Sequence, residues 1–171
     1  NEYERFGHWK DSAIKLDGEA VWSLSVMFLQ FWNSVHEINE DIEKYNPHYK
    51  KAAKGLIQPY SDSPTDKATI GEDIHLNIIN NSRKYLYIMT PYLVPSHEML
   101  RMMILSRKNG VDVRIIVPHK PDKWYVHAIT KSNYHRLIKN GIRVFEYTPG
   151  FIHSKNFLAD DKMGIVGSAN L

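Results

Sequence analysis

Apolar residues in the second half of the chain follow two periods in turn, one typical of strands and the other of helices. Short apolar runs predict strands at residues 84–90, 111–118 and 142–147. Apolar positions spaced by three or four residues predict helices at 70–81, 96–109 and 123–140. Ser96 is the expected N-cap of the second helix, and Gly110 and Gly141 are expected to end the second and third. This alternation predicts an α/β fold with a mixed, mostly parallel sheet flanked by helices.

The first part of the chain is less regular and predicts fewer elements. Residues 12–17 alternate into Gly18 and predict a short strand and turn, and Glu19 to Val35 has helical spacing, which predicts a helix packed on the body of the fold. Charge alternation and Pro47 mark residues 36–54 as a connector. A further strand is predicted at 55–60, before a polar loop at 61–67. We therefore place a domain boundary between residues 54 and 55, which gives domains 1–54 and 55–171.

The chain closes with an apolar segment, residues 150–171, that predicts a β-hairpin turning at Asp160 to Lys162. Side chains alternate faces along a strand, so His153 and Lys155 are expected to point the same way, with Phe157 and Ala159. A lone histidine on a strand is more often part of the core than a catalyst. A buried ammonium, however, is costly without a partner, and a phosphate suits both groups. Lysine is a poor metal ligand, which disfavours a metal site.

Composition restricts the classes of function without choosing one. The 171 residues are 43% hydrophobic, which suffices for a core, and the formal net charge of +3 is milder than that of a dedicated nucleic-acid binder. The absence of cysteine excludes disulfides, thiolate zinc sites and cysteine nucleophiles. The most apolar window, residues 20–32, contains serines and a glutamine and is shorter than the ~20 residues that span a bilayer.

The spacing of polar residues in the closing segment forms a motif. His153, Lys155 and Asp160 make H-x-K-x(4)-D, and Gly167, Ser168 and Asn170 follow as G-S-x-N. This pattern resembles the HKD motif of the phospholipase D superfamily. Residues 85–124 and 134–155, with their T-P-Y-x-x-P and E-Y-x-P-G-F-x-H sequences, are similar to the second half of bacterial cardiolipin synthases. The resemblance implies the phospholipase D-like fold, with the motif carried on the closing hairpin.

The resemblance also implies that the chain is a fragment. Residues 6–33 are similar to the stretch that follows the first HKD copy of cardiolipin synthases, and that first copy is not present here. His8 and Lys10 match H-x-K, but position 15 is Lys where the motif has Asp, and no G-S follows, so this segment does not replace the first copy. The expected partners are the missing first half of the same chain, a phosphatidylglycerol substrate and a membrane surface, rather than nucleic acid. No cofactor or metal is implied, and the intact protein is expected at the bacterial plasma membrane, with this fragment itself soluble.

Each motif residue has an implied role. His153 is the nucleophile, forming a phosphohistidine, or the general acid and base; Lys155 binds the non-bridging phosphate oxygens. Asp160 balances charge behind Lys155, or else begins the turn that Asp favours for its own hydrogen bonds. Ser168 and Asn170 are expected to bind substrate or orient the histidine, although Ser168 also suits the N-cap of a helix. Tyr92 is expected to border the lipid headgroup, or to cover the edge of the core.

Three functions remain open on these grounds. The preferred hypothesis is a phosphatidyltransferase that makes cardiolipin from phosphatidylglycerol through a phosphohistidine, with the fragment inactive alone. The alternatives are a single-motif phosphodiesterase or nuclease acting as a homodimer, and a non-catalytic domain that binds phosphate or lipid. Lys120, Lys123 and Trp124 suit either an anionic membrane surface or an ordinary solvated helix start.

Overall fold

The computed structural model describes residues 2–49, 55–62 and 69–171. The chain divides into two compact units, one made of Asn1–Ala13 and Glu72–Leu171 and the other of Ile14–Gly71. The helices are α1 (Glu2–Phe6), α2 (Ala20–His36), α3 (Ile70–Asn81), α4 (His97–Lys108) and α5 (Trp124–Lys139). The strands are β1 (His8–Lys10), β2 (Tyr85–Met89), β3 (Asp112–Pro118), β4 (Arg143–Tyr147), β5 (Gly150–Ile152), β6 (Lys155–Ala159) and β7 (Met163–Gly167).

The main sheet has five strands in the order β4-β3-β2-β6-β7, and its mixed character confirms the predicted fold class. Strands β2, β3 and β4 are parallel, whereas β6 is antiparallel to β2 and β7 is antiparallel to β6. The carboxyl ends of the three parallel strands therefore share an edge with the start of β6 and the end of β7. We call this the carboxyl edge, and open α/β sheets bind ligands there.

The core lies between one face of the sheet and the helices α3, α4 and α5. Strands β2 and β3 alternate buried and half-buried side chains, so Leu86, Ile88 and Ile115 point into this layer. Ile79 of α3, Met103 of α4 and Leu137 of α5 are fully buried in the same cluster. Burying apolar side chains of this size contributes roughly 1.5–3 kcal/mol each. The layer holds the carboxyl edge in place.

The three helices predicted for the second half are confirmed, as are the strands between them. Ser96 caps α4, since its hydroxyl oxygen accepts the N–H of Met99 at 3.2 Å. Gly110 and Gly141 follow α4 and α5 with φ angles of +93° and +81°, in the left-handed region that glycine adopts without strain. These are local signals, and the local backbone follows them.

Two predicted strands are wrong, and a third is divided. Residues 12–17 and 55–60 form no strand. In the N-terminal part the strand forms earlier, as β1, because β5 pairs with it there. In residues 55–60, Leu56 is fully exposed and Pro59 has no backbone N–H to donate. The first strand of the hairpin breaks at His153 and Ser154, because the chain leaves β1 after β5 and joins β2 as β6. An alternating sequence forms a strand only where another strand can pair with it.

The smaller unit contains α2, which confirms the helix predicted from Glu19 to Val35. None of its residues is buried, so the predicted packing of this helix on the body of the fold stays a prediction. The connector contains a short 3-10 helix, Glu43–Tyr45, while residues 50–54 and 63–68 lie outside the described part. The predicted boundary between residues 54 and 55 also stays a prediction.

Within residues 2–49, 55–62 and 69–171, none of the helices combines the length and the hydrophobicity that a bilayer crossing requires.

Candidate active site

A small second sheet positions the backbone of the motif. β1 pairs in parallel with β5, and Lys10 lies opposite Ile152. The carbonyl oxygen of Lys10 accepts the N–H of His153 at 2.7 Å and the N–H of Ser154 at 3.2 Å. The hydroxyl of Ser154, which is fully buried, donates to the same oxygen at 3.3 Å. The N-terminal segment thus holds the break between β5 and β6 through a single carbonyl group.

His153 is oriented by a carboxylate that follows β1. Its Nδ1 lies 2.8 Å from Oδ2 of Asp11, and its side chain remains 40% exposed. A carboxylate can only accept, so Nδ1 carries a proton and Nε2 is left for chemistry. The hydrogen bond from His153 has the largest effect on the pKa of Asp11 and lowers it, and the hydrogen bond from the N–H of Ser12 lowers it further. The Trp9 ring lies 5.4 Å from the imidazole, centroid to centroid.

Lys155 begins β6 at the carboxyl edge and is only 8% exposed. Its Nζ donates to the carbonyl oxygen of His153 at 2.5 Å, which places the ammonium beside the backbone of the histidine. Burial lowers the pKa of Lys155, and the negative charges of Asp11 and Asp122 partly oppose this. The ammonium therefore has two carboxylates as counter-charges and only one hydrogen bond among the described residues. A phosphate oxygen suits its remaining donors.

Tyr92 lies in the loop after β2 and is fixed by a second carboxylate. Its hydroxyl donates to Oδ2 of Asp122 at 2.5 Å, and Nζ of Lys123 lies 5.8 Å from its ring centroid. Burial and the Asp122 carboxylate raise the pKa of Tyr92 to about 12. Because Asp122 also acts on Lys155, this pair belongs to the same edge of the sheet as the motif.

Ser168 and Asn170 follow β7 at the carboxyl edge. Gly167 lies opposite Lys155 across β6 and β7, so Ser168 comes directly after the neighbour of the lysine. Both side chains are exposed. The carbonyl oxygen of Leu171 accepts the N–H of Val94 at 3.3 Å, which ties this segment to the loop of Tyr92. The structure thus brings the neighbourhoods of His153, Lys155, Tyr92 and Ser168 to one edge.

Asp160 lies at the opposite edge of the sheet. Its carboxylate accepts the backbone N–H groups of Arg83, Lys84 and Tyr85 at 2.7, 2.8 and 2.9 Å. It follows Lys155 by five positions along an extended chain, which corresponds to about 16 Å. The carboxylates that act on Lys155 are Asp11 and Asp122. Asp160 adopts a left-handed φ of 57° in the turn. These contacts favour the turn role over the charge-balancing role, and both roles stay predictions.

Sequence reasoning missed Asp11 and Asp122. Asp11 lies in the H-W-K-D segment, which enters the sequence-based prediction only as a candidate for the missing first HKD copy. No local signal connects it to His153, since their contact depends on the pairing of β1 with β5. Asp122 had a usable signal. It lies in the loop after the carboxyl end of β3, as Tyr92 lies in the loop after the carboxyl end of β2, and open α/β sheets place ligands at such loops.

Comparison with known families identifies the fold that carries this site. Residues 75–171, more than half of the chain, match the family described as "Cardiolipin synthase, PLD-like domain". The chain belongs to this family. The phospholipase D-like fold and the resemblance to cardiolipin synthases are both confirmed.

Relatives of this cardiolipin synthase-like chain align over nearly all of it. An uncharacterised protein of Streptococcus mutans is 42% identical over 100% of the chain, which spans 37% of that protein. Cardiolipin synthase of Halalkalibacterium halodurans is 33% identical over 97% of the chain and 33% of its own length. Cardiolipin synthase of Listeria welshimeri is 30% identical over 98% of the chain and 35% of its own length. The chain thus spans about a third of the curated relatives it matches.

Among solved structures, Nuc of Salmonella typhimurium, a phospholipase D family member, aligns with 57% of this chain and 62% of its own. The TM-score is 0.47 and the sequence identity 19%.

Proposed function

We propose that this chain supplies one histidine and lysine half of a phosphatidyltransferase site that makes cardiolipin from phosphatidylglycerol. The observation that carries the proposal is the arrangement of His153. Asp11 holds its Nδ1 at 2.8 Å, which leaves Nε2 available, and the Lys155 ammonium lies beside its carbonyl group. Relatives that align over at least 97% of the chain are named cardiolipin synthase, which favours a phospholipid diester as the substrate.

The proposed reaction exchanges one phosphodiester for another in two steps. An imidazole Nε2 attacks the phosphorus of one phosphatidylglycerol, so that a P–N bond forms and the P–O bond to the glycerol headgroup breaks. A general acid protonates the departing glycerol oxygen. A hydroxyl of a second phosphatidylglycerol then gives up its proton to the same group and attacks the phosphohistidine, which releases cardiolipin and free imidazole.

The described residues have defined tasks in this scheme. Asp11 stabilises the imidazolium that His153 becomes, whether His153 is the nucleophile or the general acid. Lys155 neutralises charge on the non-bridging oxygens, a task that a metal ion performs in other phosphoryl-transfer sites, so we expect no divalent ion to be needed. Tyr92 borders the headgroup, and Ser168 and Asn170 donate to phosphate. Asp160 acts only by holding the turn and the start of β2.

The scheme needs two imidazoles, and we propose that the second comes from another H-x-K-x(4)-D copy in a longer polypeptide. The chain spans only 33–37% of three curated relatives, which leaves room for such a copy. The longer protein would act at the bacterial plasma membrane, held there by segments outside this chain. The 171 residues alone should then turn over little or no substrate.

The experiment compares the 171-residue chain with the longer protein in phosphatidylglycerol vesicles, with and without EDTA, and measures cardiolipin and glycerol. We expect metal-free turnover in the longer protein and about 1,000-fold less with His153→Ala. His119→Ala is the matched control, because His119 is an exposed histidine that also contacts a carboxylate, Glu146, at 2.6 Å. It should retain activity to within about threefold.

Three outcomes would contradict the proposal. Full turnover in the His153→Ala variant would remove the histidine from the reaction, and robust turnover by a verified monomer of the 171 residues would remove the need for a second copy. Cleavage of DNA in place of lipid exchange would favour a nuclease. Circular dichroism of each variant must match that of the unchanged chain, so that lost activity does not reflect unfolding.

A further inference from the structure

The start of α5 carries a cluster of exposed aromatic and cationic side chains. Trp124 is 79% exposed and Tyr125 is 52% exposed, and their rings meet edge to face at 6.0 Å between centroids. Ile129, one helical turn after Tyr125, is 46% exposed. Single exposed apolar residues are common, but adjacent ones on one helix face form a patch that needs a partner. Together with Lys120 and Lys123 we call this cluster the rim.

The charges of the rim fit an anionic surface. Lys120 and Lys123 are both exposed, and neither forms a salt bridge with any residue in the described ranges. The carboxylate between them, Asp122, accepts the hydroxyl of Tyr92. Tryptophan and tyrosine favour the headgroup level of a bilayer, and lysine adds attraction to anionic lipids. An anionic bilayer surface offers both an apolar layer for the rings and negative charge for the lysines.

The rim is held rigidly beside the candidate site. Asp122 is bonded to Tyr92 and acts electrostatically on Lys155. The loop of Tyr92 is fixed to α5 because Leu93 donates its N–H to Thr130 Oγ1 at 3.1 Å and accepts from Asn133 Nδ2 at 3.1 Å. A surface that binds at the rim therefore lies next to the carboxyl edge.

We propose that the rim docks on an anionic phospholipid bilayer and brings the carboxyl edge to the headgroups. The proposal rests on the proposed function for its biological meaning, because a lipid phosphodiester lies at the depth that interfacial aromatic rings reach. It names the side of the chain that meets the membrane, and bilayer binding can be measured without any catalysis.

The first test is flotation of the 171-residue chain with vesicles of phosphatidylglycerol and phosphatidylcholine. Trp124→Ala should weaken binding at least about tenfold, since it removes a large interfacial side chain. Ile138→Ala, an exposed position near the other end of α5, should leave binding unchanged. The pair Lys120→Gln and Lys123→Gln should weaken binding to the anionic vesicles several-fold, and Lys139→Gln with Lys162→Gln is the control of equal net charge. Equal binding by all four variants would overturn the proposal.

The second test locates the tryptophan that enters the bilayer. One variant keeps Trp124 alone and another keeps Trp32 alone, with the other tryptophans changed to Phe. Spin-labelled lipids should quench Trp124; quenching of Trp32 alone would assign membrane contact to α2 and overturn the proposal. His153→Ala should bind vesicles like the unchanged chain. In the longer protein, Trp124→Ala should lose vesicle binding but still turn over a soluble short-chain phosphatidylglycerol. This result would support docking separately from catalysis.

Discussion

The Nδ1 atom of His153 lies 2.8 Å from Oδ2 of Asp11, although 142 positions separate the two residues in the chain. The contact forms because β1 pairs with β5 and brings the residue after one strand next to the residue after the other. An imidazole held in this way presents a defined nitrogen to solvent. The pairing of β1 with β5 therefore determines which nitrogen of His153 faces the carboxylate and which faces solvent.

Asp11→Asn tests this orientation. In the unchanged chain we expect the neutral imidazole of His153 to carry its proton on Nδ1, and the variant should move it toward the Nε2–H form. Nitrogen-15 NMR distinguishes the two tautomers directly. In the longer protein the same change should reduce turnover roughly 10- to 100-fold. Asp161→Asn, in the distant turn, serves as the control, and an unaltered tautomer in the Asp11 variant would contradict the prediction.

Lys155→Met tests whether the buried ammonium is kept for binding rather than for stability. Because burying the charge is unfavourable, replacing it by an apolar side chain of similar length should leave the free energy of unfolding unchanged or raise it by about 1 kcal/mol. Binding of inorganic phosphate, followed by phosphorus-31 NMR, should be lost. A strongly destabilised variant that still binds phosphate would reverse the assignment.

The pH dependence of the free energy of unfolding, compared between the unchanged chain and Lys155→Met, independently tests the burial of the Lys155 charge. Burial lowers the pKa of Lys155 below its ordinary value of 10.5. Between the lowered pKa and 10.5 the unfolded chain binds the extra proton, so raising the pH favours folding. The free energy of unfolding of the unchanged chain, relative to Lys155→Met, should therefore rise as the pH passes through that window. Urea unfolding at several pH values measures it, and a falling difference would contradict burial of the charge.

Asp160→Ala should affect stability far more than phosphate binding. It leaves three backbone N–H groups without their acceptor, which should lower the free energy of unfolding by about 2 kcal/mol or more. Those hydrogen bonds lower the pKa of Asp160. Its contribution to the free energy of unfolding is therefore present above about pH 4 and is lost as the pH falls through the lowered pKa. Phosphate affinity should change by less than about twofold. Asp161→Ala is the neighbouring control, and a large loss of affinity would return Asp160 to the site.

Tyr92→Phe tests the contact with Asp122. The hydroxyl of Tyr92 should titrate near its raised pKa of about 12, and carbon-13 NMR of the labelled tyrosine ring can follow it. The resonance should disappear in Tyr92→Phe, and in Asp122→Asn its pKa should fall toward the ordinary value of 10.0. If the pKa of Tyr92 is unaltered in the Asp122 variant, the hydrogen bond is absent in solution.

The elements that sequence reasoning predicted correctly have local causes. Helices α3, α4 and α5 follow from apolar spacing within one segment, and the cap at Ser96 and the end at Gly110 lie next to the helix they bound. The strands that failed, at residues 12–17 and 55–60, have alternating or apolar sequences but pair with no strand within residues 2–49, 55–62 and 69–171. Strand formation depends on distant hydrogen bonds, which a local pattern does not contain.

The same distinction applies to the site. From the sequence came the family, the fold and the spacing that brings Lys155 and Ser168 to one edge, because short turns and the two-residue period of strands act within a few residues. Only the tertiary structure decided that Asp11 holds His153, that Asp122 holds Tyr92 and acts on Lys155, and that Asp160 binds the start of β2. Each of these contacts joins segments that meet only when the sheet assembles, since carboxylates bind whichever donors the fold brings within 3 Å.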